Sequence, residues 1–124
     1  MDVTPLIPAG RQVIDSYGRD GFHVSGAGYG GAILVFPDGT QPWEVAEFAE
    51  VTVASLEPVI ARGNIQILLL GCGTRHRPVP PAVRQALREA GVTVDAMDTG
   101  AACRTYNILL SEDRRVAAAL LPAR

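Results

Sequence analysis

Residues Ile65 to Met97 read IQILLLGCGTRHRPVPPAVRQALREAGVTVDAM, and their reading decides the fold. Ile65–Leu70 is the most apolar run in the chain. Its short length, the β-branched Ile65 and Ile67 and the Gly71 stop predict a buried central strand rather than a helix. Pro80 and Pro81 then open an amphipathic helix with Val83, Ala86, Leu87 and Ala90 on one face. Arg84, Gln85, Arg88 and Glu89 occupy the other face, and Gly91 stops the helix. Val92–Met97 is the next strand. Strand, helix of about three turns and strand make a βαβ unit, with parallel strands and a right-handed crossover.

Outward from Met97, the segment Met97-Asp98-Thr99-Gly100-Ala101-Ala102-Cys103-Arg104-Thr105-Tyr106-Asn107-Ile108-Leu109-Leu110 joins that strand to a second helix. Asp98 or Thr99 can cap it. Ala102, Tyr106, Leu109 and Leu110 recur at helical spacing and predict a buried face, while Arg104, Asn107 and Ser111 fall on another. Asparagine competes for backbone hydrogen bonds and suits a helix interior poorly, so Asn107 is expected to have a partner outside the helix. Tyr106 is expected to bury its ring and give its hydroxyl a polar partner. Glu112-Asp113 reads as a turn and Val116–Leu121 as a closing strand.

Toward the N-terminus, residues 1–12 read as a loosely held arm. Val13–Tyr17 and Phe22–Val24 read as short strands around the turn Gly18–Gly21. Ser25–Gly31 is glycine-rich but precedes a strand, which favours a turn or bulge over a phosphate loop. Ala32–Phe36 is an apolar strand, Pro37-Asp38-Gly39 a turn, and Pro42–Val45 the returning strand. After a connector, a short helix capped at Ser55 runs to Arg62, with Pro58 in its first turn. The reading is a single α/β domain over residues 13–124. Its β-rich N-terminal half precedes the βαβ unit, a helix and a closing strand.

Composition narrows the function. Hydrophobic residues make up 48% and charged residues 19% of the 124, which is a globular balance. A formal net charge of −2 argues against a general nucleic-acid binder. No apolar run reaches the ~18–20 residues that span a bilayer, and no basic-then-apolar leader is visible, so a cytoplasmic protein that is not integral to a membrane is expected. Cys72 and Cys103 are too few for a disulfide framework and are expected as free thiols.

The βαβ reading also places chemistry. Loops leaving the carboxyl ends of adjacent parallel strands share one rim, which puts Gly71–Arg77 and Asp98–Asn107 side by side. Gly71, Cys72 and Gly73 with Arg75 and Arg77 could hold an anion, against the plainer reading of a glycine loop with solvated arginines. In the second loop and helix, Asp98, Thr99, Cys103, Arg104, Tyr106 and Asn107 make a polar cluster. A helix N-terminus and Arg104 would favour Cys103 thiolate; the plainer reading is a buried cysteine filling space. Neither Cys-x-x-Cys nor His-x-x-x-His spacing is present, so no metal and no cofactor are expected. Asp98 and Thr99 read most simply as a cap and a hydrogen-bond network at the strand–helix junction.

An ordered series of residues carries a resemblance. It runs Tyr17-Gly18, Phe22, Val24-Ser25-Gly26, Gly31, Phe36-Pro37, Trp43, Leu69–Gly73, Leu87-x-x-x-Gly91, Met97–Thr99, Ala102–Asn107 and Val116–Leu120. Over about Val13 to Pro122 the chain resembles the small bacterial proteins of unknown function related to mitochondrial complex I assembly factor 3. The resemblance implies a three-layer α/β fold with a central mixed sheet. It implies protein partners, with respiratory-complex or membrane-assembly components as candidates, and a place in the cytoplasm or at the inner membrane through such a partner. It supplies no catalytic set. No targeting segment is expected here, unlike in the mitochondrial relatives, and Cys72 stands where threonine or a similar small residue is expected. The leading expectation is a non-enzymatic assembly or interaction domain. The alternatives are a small-molecule (anion) binding protein or enzyme at the rim, and a thiol switch between Cys72 and Cys103.

Overall fold

The computed structural model describes residues 10–123. The chain runs β1 (Ile14–Tyr17), β2 (Gly21–Val24), β3 (Ala27–Gly30), β4 (Ile33–Phe36), β5 (Gly39–Pro42), α1 (Glu57–Arg62), β6 (Ile67–Gly71), α2 (Pro81–Glu89), β7 (Thr93–Met97), α3 (Thr99–Ser111) and β8 (Val116–Leu120). Five strands form a mixed sheet in the order β5-β4-β8-β6-β7, and β1-β2-β3 form a small antiparallel sheet.

The βαβ unit is present as read. β6 and β7 are parallel neighbours, with Ile67 opposite Thr93 and Gly71 opposite Met97. β8 lies on the other side of β6, also parallel, and β4 closes against β8 antiparallel. The chain therefore moves one way along the sheet from β6 to β7 and back past β6 to β8. Two crossovers of the same hand in opposite directions put their helices on opposite faces. Accordingly, α2 buries Val83 and Leu87 in a core with Leu34, Phe36, Leu68, Leu70, Ala117 and Ala119. On the opposite face α3 buries Ala102, Tyr106 and Leu110 with Ile33, Val35, Leu69, Ala118 and Leu120. Alternate residues of each strand thus feed two cores, which is why β4, β8 and Leu68–Gly71 are buried without a break. The small sheet packs on the α3 side through Ile14, Phe22 and Val24. Helices α1 and α2, the five-stranded sheet, and α3 with the small sheet make three layers around one domain.

Two readings need correction. Ala27–Gly30 is a strand, not a turn or bulge. It pairs with β2 across the two-residue turn Ser25-Gly26, whose φ values of 47° and 84° both lie in the left-handed region that such hairpin turns require. The strand returning from β4 begins at Gly39 rather than Pro42, because Pro37-Asp38 alone makes the turn. Trp43 continues past its end: its backbone N–H donates to Ala32 at 2.9 Å and its indole N–H to the Ser55 carbonyl at 2.8 Å.

Other boundaries move little. α1 has no side-chain cap; Ser55 and Thr52 instead bond to one another in the 3-10 turn before it, and Pro58 sits in the first helical turn. Most of the expected N-terminal arm, residues 1–9, lies outside the described residues. Of the remainder, Gln12 is held rather than loose. Its N–H donates to Pro37 and its side chain accepts from Thr40 at 2.7 Å.

Candidate functional site

The loops after β6 and β7 leave toward opposite faces of the sheet, an arrangement that in open α/β sheets commonly opens a ligand crevice. Here the chain closes that crevice with its own backbone. The Cys72 N–H donates to Met97 at 2.8 Å and the Thr99 N–H to Gly73 at 2.9 Å. The Thr99 hydroxyl accepts from the Gly73 N–H at 2.9 Å and donates to the Leu121 carbonyl at 2.6 Å. The C-terminal segment then crosses the rim, with the Leu121 N–H on Gly71 and the Ala123 N–H on Gly18, both at 3.0 Å. Thr99 is fully buried, and both bonds of its hydroxyl go to backbone. Asp98 caps α3 by accepting from the Ala101 N–H at 2.9 Å.

Gly71 and Gly73 serve this seam. A Cβ on Gly71 would stand 2.8 Å from Leu120 Cδ2 and 3.1 Å from Thr99 Oγ1. Gly73 has φ of 90°, which turns its N–H onto Thr99. The glycines are thus explained by close packing and turning at the junction.

The structure distributes the expected site residues over four places. Gly71, Cys72, Gly73, Asp98 and Thr99 form the seam. Arg75 and Arg77 stand exposed on the loop beyond it, beside His76. Cys103, Arg104 and Asn107 line a shallow cavity of about 400 Å³ with Tyr17 and the rest of β1. Tyr106 is buried on the inner face of α3.

Asn107 has the external partner that its position in the helix called for. Its side chain accepts from the Ile14 N–H at 3.0 Å and donates to the Ile14 carbonyl at 2.9 Å. It thus treats the strand edge as a neighbouring strand would, and fastens the small sheet to α3.

The thiols behave otherwise than the helix-dipole argument expects. Burial pushes Cys103 up from 9.0 to about 12; the Arg104 charge pulls it down and Asp98 pushes it up, but desolvation dominates. Burial also raises Cys72, against opposing hydrogen bonds from the backbone of Arg77 and Met97. Cys72 lies in the core shared with α2 and Cys103 in the core shared with α3. The sheet therefore separates the two sulfurs, and both are protonated space-fillers near neutral pH.

Tyr106 overturns its expectation. Its ring is in the core, but its hydroxyl is buried with no hydrogen-bond partner. Burial raises its pKa, and the charges acting on it are Arg11, which lowers it, and Asp38, which raises it.

One surface feature has only a weak signal in the sequence. Tyr17 and Ile108 are the exposed large hydrophobics among the described residues, at 43% and 51% exposure. Tyr17 closes over α3 at Gly100, where an added Cβ would collide with the phenol ring and lie 3.3 Å from Arg104. Arg104 and Ile108, four residues apart, share one side of α3. Tyr17, Arg104 and Ile108 thus make a mixed apolar and cationic face. The signal was available as Ile108 falling between the polar positions of the helix.

This architecture and sequence have relatives. An uncharacterised protein of Rhodobacter capsulatus is 37% identical over 114 residues, covering 92% of this chain and 87% of that protein. NADH dehydrogenase (ubiquinone) 1 alpha subcomplex assembly factor 3 of Danio rerio is 36% identical over 111 residues, 89% of this chain. The chain spans 64% of that assembly factor's length. A crystal structure from Bordetella parapertussis superposes with a TM-score of 0.85 at 38% identity, covering 93% of this chain and 99% of that one. Matched from residue 14 to residue 121, the chain belongs to the family of proteins of unknown function termed DUF498/DUF598.

Proposed function

We propose that this chain is a non-enzymatic assembly factor that binds a subunit or assembly intermediate of an NADH dehydrogenase complex. The observation that carries the reading is its 36% identity, over 89% of its length, to a protein named for assembly of that complex. The geometry of the rim supports the non-enzymatic part: the loop ends that would build a catalytic crevice are bonded to each other, and Cys103 is held as a thiol. Among the described residues no group of three or more His, Cys, Asp and Glu could hold a metal ion. Among them, too, no helix is long and apolar enough to cross a membrane.

The docking face in this proposal is Tyr17, Arg104 and Ile108 on the outer side of α3, with Asp98 and Asn107 setting that helix in place. Aromatic and arginine side chains are the usual energetic anchors of such interfaces. Crosslinking capture from the native cell, with soluble and membrane fractions taken separately, tests it. Wild type is expected to recover NADH dehydrogenase subunits, and Arg104→Glu/Ile108→Asp to lose them while unfolding at the wild-type temperature. Capture without any such subunit would overturn the assembly reading. Equal capture by the variant would move the docking face elsewhere.

A further inference from the structure

The chain has no lysine; its eleven basic residues are all arginine. Four of them meet at the end of the sheet opposite the seam, where β4 leaves and β6 and β8 enter. Arg11, Arg62, Arg114 and Arg115 line a cleft of about 530 Å³ there, together with Asp38 and Asp113. That volume falls in the range of sites that hold small molecules, roughly 300–1,000 Å³.

The charge balance is specific. Arg62 pairs with Asp38 at 2.6 Å and Arg11 with Asp113 at 3.3 Å. Arg62 also lies over the Phe36 ring, 3.9 Å from its centroid. Arg115 donates to the Asn64 side chain at 3.0 Å, so it too is held, by a neutral partner. Among the described residues neither Arg114 nor Arg115 has an ion-pair partner. The cleft therefore carries two uncompensated positive charges on a chain whose formal net charge is −2. Guanidinium groups offer planar pairs of N–H donors that match an oxyanion in two-point contact. The two aspartates are mostly exposed, and such surface pairs exchange readily for a better anion.

We propose that the arginine cleft binds a small polyanion bearing two adjacent oxyanion groups, either a diphosphate or a polycarboxylate, held chiefly between Arg62, Arg114 and Arg115. The inference does not rest on the assembly-factor reading: Tyr17, Arg104 and Ile108 of the docking face are not among the residues that line the cleft.

Calorimetric titration of the full chain at low ionic strength, with pyrophosphate in one arm and citrate in the other, tests it. Saturable one-to-one binding is expected, weakening as salt is added. Arg114→Gln/Arg115→Gln should weaken it about tenfold or more, because two charge-assisted contacts are lost. Arg19→Gln/Arg88→Gln removes the same net charge from exposed positions outside the cleft and should change affinity less than about twofold, if the cleft rather than overall charge binds the anion. Preference for pyrophosphate assigns a diphosphate, and preference for citrate a polycarboxylate; both support the site. No saturation by either probe up to about 10 mM, or equal weakening in the two double variants, would overturn it.

Discussion

Replacing Thr99 with valine removes one oxygen atom from the middle of the seam and keeps the side chain's shape. Two buried backbone groups lose their partner: the Gly73 N–H at 2.9 Å and the Leu121 carbonyl at 2.6 Å. Water cannot replace the hydroxyl, because Gly73, Thr99 and Leu121 are all buried. Each orphaned group costs about 1–3 kcal/mol, so the pair should cost about 2–6 kcal/mol. A methyl group also cannot sit 2.6 Å from the Leu121 oxygen, and some displacement of the C-terminal segment adds to the loss. Against a total stability of about 5–15 kcal/mol for a domain, this is a large fraction. At about 4 °C per kcal/mol for a chain of this size, the midpoint should fall by roughly 8–24 °C. Urea unfolding gives the free energy directly, with an unchanged slope showing that the denatured state is unaffected. Thr99→Ser is the control. It keeps both bonds and removes one methyl, for about 1 kcal/mol. If Thr99→Val is no more damaging than Thr99→Ser, the hydroxyl does not hold the seam and the reasoning fails.

Three further outcomes are expected. Tyr106→Phe should stabilise the protein by about 1 kcal/mol, since it deletes a buried unpaired hydroxyl and leaves only a small void; a destabilised variant in thermal unfolding would show that the hydroxyl has a partner after all. Asn107→Ala should cost about 1–2 kcal/mol, and hydrogen exchange should show the loss concentrated at the Ile14 amide; uniform loss of protection would count against the fastening role. Cys103 makes stability depend on alkali: below about pH 9 both states hold its proton, and above it the unfolded state alone releases the proton, so stability falls by up to about 1.4 kcal/mol per pH unit until the folded thiol titrates at about 12. Urea unfolding from about pH 8 to about pH 10 should show a shallower decline in Cys103→Ala, and equal slopes would refute the assignment.

Much of the candidate site was legible locally. Asp98 as cap and Asn107 as a side chain needing an outside partner followed from residue type and helix position. Gly71–Gly73 beside Asp98–Thr99 followed from the βαβ topology. What that topology could not say is whether the rim stands open. It is closed by Leu121 and Ala123, which come back to it only after β8 has taken its place beside β6. The Ala27–Gly30 strand has a weak signal of its own, because the two glycines and the alanine around Tyr29 have little intrinsic strand preference; the two-residue turn Ser25-Gly26 is the stronger signal.

The sequence by itself determined the elements whose cause is local: the apolar run at β6, the proline-opened α2, the capped α3 and the parallel pairing that joins them. These depend on periodicity and on residues within a few positions of one another. The tertiary structure alone decided which groups meet. Arg11, Asp38, Arg62 and Arg115 are scattered along the chain, and the strand order β4-β8-β6 brings them to one edge. It also set the electrostatics of Cys103, where the helix N-terminus and Arg104 favour thiolate but burial between α3 and the sheet outweighs them. Desolvation and convergence depend on what packs against a residue from distant segments, and neither is written in its neighbours along the chain.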